Sequence, residues 1–295
     1  MRPAAFLSTG PARRLCVGLT ALAVVAALAG GCGRLLAPEI RRPVLSRQPD
    51  PSYETLFPYY AELCALSQWR PVDGGSGGIP GHAVMYLKGV CRKPGAPHPT
   101  LEWCDPATDD PDDPRHGVGL SVNRLFRNVN FVAIPGRRLF VEGNLAPEDR
   151  LTRERREAVV ERVVDLGLYR GIEAETDDGV HHAPSPETER LLARDGVGTD
   201  FALRFARTIF CARLPLTRPM MESVMGYLNA RNAEYAANPS GFRWSGFYNN
   251  CVHLVYNALA AAGVWPRKST NQNLVAQVFN IAVPANAVID LAELA

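Results

Sequence analysis

Cys251 opens the stretch Asn249-Asn250-Cys251-Val252-His253-Leu254-Val255-Tyr256-Asn257-Ala258-Leu259-Ala260-Ala261-Ala262-Gly263, and His82 opens the stretch Ala83-Val84-Met85-Tyr86-Leu87-Lys88 that follows it. A thiol and an imidazole are the parts of a nucleophile–base pair. The thiolate attacks a carbonyl; the imidazole takes the thiol proton and returns it to the leaving group. In the later stretch Cys251, Leu254, Val255, Ala258, Leu259 and Ala262 fall at spacings of three and four, which predicts an amphipathic helix. Asn249 or Asn250 caps its start, and Gly263 sits where a helix stops. A thiol in the first turn feels the positive end of the helix, which favours the thiolate. The first-turn N–H groups around Asn250 and Cys251 lack helical partners and can hold an oxyanion. His253 lies about 200° around the helix from Cys251, so it is expected to bond the packing side and not to serve as the base. A histidine at a strand start is, taken alone, as readily a hydrogen-bonded core residue; Cys251 is what makes His82 a candidate base.

The elements around these two residues predict a mixed α+β chain. Residues 81–91, 100–104, 116–123, 128–134 and 139–142 read as short strands, a meander over roughly 80–145. Thr100, Glu102 and Cys104 share one face of their strand by alternation. Glu102 there and His116 on the next strand are the candidate orienters of the base. Spaced apolar positions predict helices over 53–69, 151–166, 185–193, 199–212, 219–236 and about 271–279, so that about 147–240 reads as an inserted helical region. In 199–212 the marks are Phe201, Phe205 and Ile209. His181 and His182 sit in a loop without an acidic or cysteine partner at ligand spacing. The acidic stretch 108–114 lacks the spacing of a calcium loop and reads as a solvated turn.

Composition bounds the rest. The chain has 295 residues and a formal net charge of +2, with no Lys/Arg stripe, which argues against a nucleic-acid partner. Arg2, Arg13 and Arg14 precede an apolar run from Leu15 to Ala29, the pattern of a secretory signal. Leu28-Ala29-Gly30-Gly31-Cys32 resembles a bacterial lipobox, which makes 1–32 a lipoprotein signal peptide and Cys32 the lipidated residue. Residues 33–52 then form a tether and 53–295 the folded part. The expected partner is the membrane, through the N-terminal lipid, and the expected location is the periplasmic side of a bacterial cell envelope. In that oxidising compartment Cys91 and Cys104 flank a Pro/Gly turn and suit a disulfide. Cys64 and Cys211, each in a helical pattern, pair in one reading, which leaves Cys251 as the free thiol; in the other, the thiols are simply buried and reduced.

Asn250-Cys251-Val252-His253-Leu254 resembles the Asn-Cys-x-His-Phe motif of lecithin:retinol acyltransferase-like proteins, and Gly81-His82-Ala83-Val84-Met85-Tyr86-Leu87 resembles their histidine-bearing strand. These are circularly permuted relatives of NlpC-type papain-fold hydrolases, in which the histidine strand precedes the nucleophile helix, as here. The two segments cover roughly a tenth of the chain. The resemblance implies a permuted papain-like core of antiparallel strands packed on the Cys-bearing helix. It makes Cys251 the nucleophile and His82 the base, with no metal or organic cofactor. The expected activity is hydrolysis or acyl transfer at an amide or ester, on a cell-wall peptide or an acyl lipid. The alternative is a binding or scaffolding lipoprotein that keeps the fold without the chemistry.

Overall fold

The computed structural model describes residues 56–66, 82–104, 117–146, 149, 152–177, 179–201, 209–239, 244–245, 249–265, 288 and 291. All fall in the compact unit 44–295. The expected signal, Cys32, the tether, His116 and the helix expected at 271–279 lie outside them.

A five-stranded antiparallel sheet runs in the order β6-β5-β2-β1-β9. Its strands are β1 (Tyr60–Leu66), β2 (His82–Lys88), β5 (Val118–Ser121), β6 (Val132–Pro135) and β9 (Ile209–Pro215). Two small hairpins stand apart: β3 (Val90–Arg92) with β4 (Leu101–Trp103), and β7 (Ala174–Glu175) with β8 (His181–His182). The helices are α1 (Arg137–Glu142), α2 (Arg153–Asp165), α3 (Pro186–Gly196), α4 (Arg218–Ala237) and α5 (Cys251–Ala261).

Strand alternation divides the interior into two cores. Val84, Tyr86, Tyr60, Cys64, Val132 and Ile134 pack with side chains of α1, α2 and α3. Ala83, Met85, Leu87, Leu63, Leu120 and Ala133 pack with α4 and α5. The sheet is therefore the middle of three layers. Gly119 on β5 lets α1 approach, because a Cβ there would sit 2.0 Å from the Phe140 ring.

Helix starts follow their caps. Thr152, Ser185, Thr217 and Asn250 each accept a first-turn backbone N–H at the head of α2, α3, α4 and α5. Two asparagines of α4 tie that helix to the β3–β4 hairpin and to the segment that leads into β6. Asn232, wholly buried, accepts from Asn130 N and Phe131 N and donates to Pro99 O and Phe131 O. Asn229 accepts from Leu101 N and donates back to its carbonyl.

Several expected elements take another form. The helix expected over 53–69 holds β1, all seven residues of which are buried; an apolar run buried on both faces has no period to separate it from a helix. The strand expected at 139–142 is the end of α1, closed by Gly143 in the left-handed conformation. Of the helix expected over 199–212, the described residues hold the end of a π-turn (Val197–Phe201) and the start of β9, and 202–208 lie outside them. Residues four apart share a face in a strand as well as in a helix, so a four-residue spacing leading up to Ile209 did not exclude a strand there. The span 147–240 thus holds an edge strand of the main sheet together with its helices. His181 and His182 form β8.

Candidate active site

β1, β2, β5, β6 and β9 bring one set of ends together, because Leu66 pairs with both His82 and Ile209, and Ser121 with Val132. His82 is the first residue of β2, so at that end it is reached from both faces of the sheet. From one face comes α5. Its Asn250 cap accepts Val252 N at 2.9 Å and His253 N at 3.1 Å, and the His253 ring closes a capping box with the Asn250 backbone. A histidine plays here the part that Glu or Gln takes in the usual box. The box fixes Cys251 as the first residue of the helix.

The thiol of Cys251 interacts with the His82 imidazole and with the Ala83 backbone N–H. It is in no disulfide, and only 7% of Cys251 is exposed. From the opposite face comes the π-turn that follows α3. Its Asp200 places Oδ1 2.8 Å from His82 Nε2. The contact has the distance of a hydrogen bond without its alignment, so it acts as an oblique ion pair. Oδ2 of the same carboxylate accepts from Ser121 Oγ at 3.0 Å. The imidazole side chain keeps 19% of its surface exposed and Asp200 only 1%, so the ring is reachable from outside and the carboxylate is not.

The electrostatics follow from this packing. Burial alone would lower the His82 pKa; the negative charges of Cys251 and Asp200 against the ring outweigh it and push it up to about 10. Burial pushes the Cys251 thiol up, but the His82 ring and the Ala83 N–H bring it below the ordinary thiol value. Both groups shift toward a thiolate–imidazolium pair. Burial raises Asp200 against the downward pull of His82 and Ser121, and the nearby Asp195 charge adds to the rise. Asp200 and His82 thus both shift upward. The geometry backs the charged pair, because each carboxylate oxygen faces a donor.

Of the residues expected at the site, His82 and Cys251 come together. Asn250 sits beside them, but its side chain is spent on the cap, as are the N–H groups of Val252 and His253. The first-turn amide left for an oxyanion is that of Cys251. Glu102 does not join them. It lies on β4 opposite Cys91, beyond the far end of β2, and a seven-residue strand spans about 20 Å. The carboxylate at the imidazole is Asp200, hidden in the stretch read as helix. α3 runs on through Gly196 into the π-turn that holds Gly198, so no break in the sequence marked the residue. Both expected disulfides are present, Cys91–Cys104 and Cys64–Cys211, the second across paired strands and not between helices.

No family model, no curated protein and no solved structure matches this chain.

Proposed function

We propose that this chain is a thiol hydrolase or acyltransferase acting on an amide or ester bond. Cys251 is the nucleophile, His82 the base and acid, and Asp200 the group that orients the ring. One observation carries the reading: a single imidazole lies between a free thiol at a capped helix start and a buried carboxylate. With Nε2 against Asp200, Nδ1 is the nitrogen that exchanges a proton with sulfur. The thiolate adds to the carbonyl carbon, and the Cys251 N–H faces the oxygen that takes up the charge. The imidazolium gives its proton to the departing amine or alcohol, which leaves a thioester. The neutral ring then takes a proton from water, or from another acceptor, as that oxygen attacks the thioester and frees the thiol.

The antiparallel sheet packed on the Cys-bearing helix, with the histidine strand earlier in the chain, supports a permuted NlpC-type papain-like core. The lipobox-like segment supports a lipid anchor in a bacterial envelope. That location favours a cell-wall peptide as substrate, and the lecithin:retinol acyltransferase-like motif favours an acyl lipid.

Alkylation of Cys251 by iodoacetamide tests the site without a known substrate. The folded thiol reacts faster near neutral pH than the unfolded one, and His82→Ala slows it. Cys251→Ala and His82→Ala each abolish turnover while the protein stays folded. Labelling no faster than in the unfolded chain would overturn the reading and leave a binding or scaffolding lipoprotein.

A further inference from the structure

We infer that Ser121 and Tyr169 are positioning residues of this site, forming a buried hydroxyl relay that fixes the Asp200 carboxylate against the His82 ring. The inference rests on the reading of Cys251, His82 and Asp200 given above.

The relay is read from hydrogen counts. Ser121 is the last residue of β5 and is fully buried; Tyr169 and Asp200 are each 1% exposed. Ser121 Oγ donates to Asp200 Oδ2 at 3.0 Å, which uses its one hydrogen. The Tyr169 hydroxyl lies 3.3 Å from Ser121 Oγ. With the serine proton already committed, the tyrosine is the donor in that contact. The order is therefore Tyr169 O–H to Ser121 Oγ, and Ser121 O–H to the carboxylate.

The arrangement is built around by other residues. A Cβ on Gly196 would sit 1.9 Å from the Tyr169 oxygen, so the hydroxyl occupies space that only a glycine leaves open. Asp195, the residue before it, accepts from Asn123 Nδ2 at 2.5 Å, and Thr199 Oγ1 donates to the Asp195 carbonyl. Asn123 follows Ser121 by two residues. The end of β5 thus grips the turn that carries Asp200 at two points. The oblique His82–Asp200 contact is what gives the grip its purpose, because a carboxylate that meets its partner off-axis is not oriented by that contact alone.

The titratable groups facing this cluster are Cys251 and Asp200 at the ring, Asp195 near the carboxylate, and Tyr169 behind Ser121. Removing the serine hydroxyl leaves Asp200 Oδ2 buried without its donor, so the carboxylate holds its proton more strongly. The imidazolium then loses its counter-charge.

The test follows the His82 ring protons by NMR across pH in the intact chain, alongside Cys251 alkylation. Ser121→Ala lowers the His82 midpoint by about one pH unit and slows alkylation at pH 7 about tenfold. Tyr169→Phe, which keeps the ring and loses only the hydroxyl, moves both the same way by about threefold in rate. Ser121→Thr restores the wild-type midpoint. If Ser121→Ala does not fold, Tyr169→Phe decides. Variants that lower the melting temperature yet leave the His82 midpoint at its wild-type value overturn the relay. If the wild-type chain cleaves no ester or amide while the His82 midpoint still moves, the hydrolase reading fails and the relay stands.

Discussion

Glu62 and Asp200 are both buried carboxylates on the same face of the sheet, and they are treated in opposite ways. Glu62, on β1, is clasped by Arg137, with Nε to Oε2 at 2.8 Å and NH2 to Oε1 at 3.0 Å. Arg213 adds a contact at 3.3 Å and itself lies over the Tyr60 ring. Burial would raise the Glu62 pKa, but the two guanidiniums outweigh it and hold the group below the usual carboxylate value. Asp200 has one oblique histidine and one serine, and burial wins, so its pKa rises. Both carboxylates are out of water. One is over-compensated and locked; the other is held short of full compensation beside a thiol. That difference separates an ion pair that serves the fold from one placed for proton traffic.

The contrast is broken first at Glu62. Arg137→Met leaves that carboxylate with one off-centre cation, and denaturant unfolding should show a loss of about 3–5 kcal/mol. Cys251 alkylation, measured on the folded fraction, should not change. Loss of fast alkylation in that variant would mean that the two clusters are one system.

Separating Cys64 from Cys211 comes next. That cystine joins β1 to β9 across a sequence separation of 147 residues, and closure of so long a loop is worth about 3–5 kcal/mol. Cys64→Ser/Cys211→Ser should lower the unfolding free energy by that amount in denaturant titration, and equal values for mutant and wild type would contradict it.

At the site the sign reverses. Asp200→Asn should slow alkylation and turnover by about a hundredfold, yet raise the melting temperature at neutral pH by a few degrees. A carboxyl whose folded pKa is raised disfavours the folded state once pH exceeds its unfolded value, so a neutral isostere relieves that cost. A fall in both activity and stability would place Asp200 in the same class as Glu62.

The smallest effect is in the pH dependence of stability. Glu62 has a depressed folded pKa, so its contribution is present above the unfolded carboxylate value and is lost as pH falls through the folded one. The melting temperature of the wild-type chain should therefore drop on acidification below about pH 4.5, and Glu62→Gln should flatten that limb. An unchanged acid limb in Glu62→Gln would assign it to other carboxylates.

What the sequence disclosed and what it hid follows from the range of the interactions. Local signals were readable: the Asn250 cap and the Gly263 stop of α5, the Ser185–Pro186 start of α3, and the short apolar run after His82 that made it a strand residue. Cys91–Cys104 was readable from the Pro/Gly turn it flanks, whereas Cys64–Cys211 was one of two open readings and follows from the register of β1 on β9. Asp200 was not readable, because a single aspartate after two glycines carries no period, and only the packing of α3 against β5 brings it to the ring. β1 and β9 were lost for a related reason. Burial on both faces erases the alternation of β1, and the four-residue spacing in sequence that ends at Ile209 fits both kinds of element.

Cys251 is the one unpaired thiol among the described residues, in a fold that otherwise oxidises its sulfurs. Cys64 and Cys211 meet through strand register, and Cys91 and Cys104 through a hairpin. One cystine closes a hairpin, and the other joins two strands 147 residues apart in sequence. Once α5 is seated, the remaining sulfur lies almost wholly behind protein. With the other described cysteines tied to one another, none of them is left to oxidise the nucleophile.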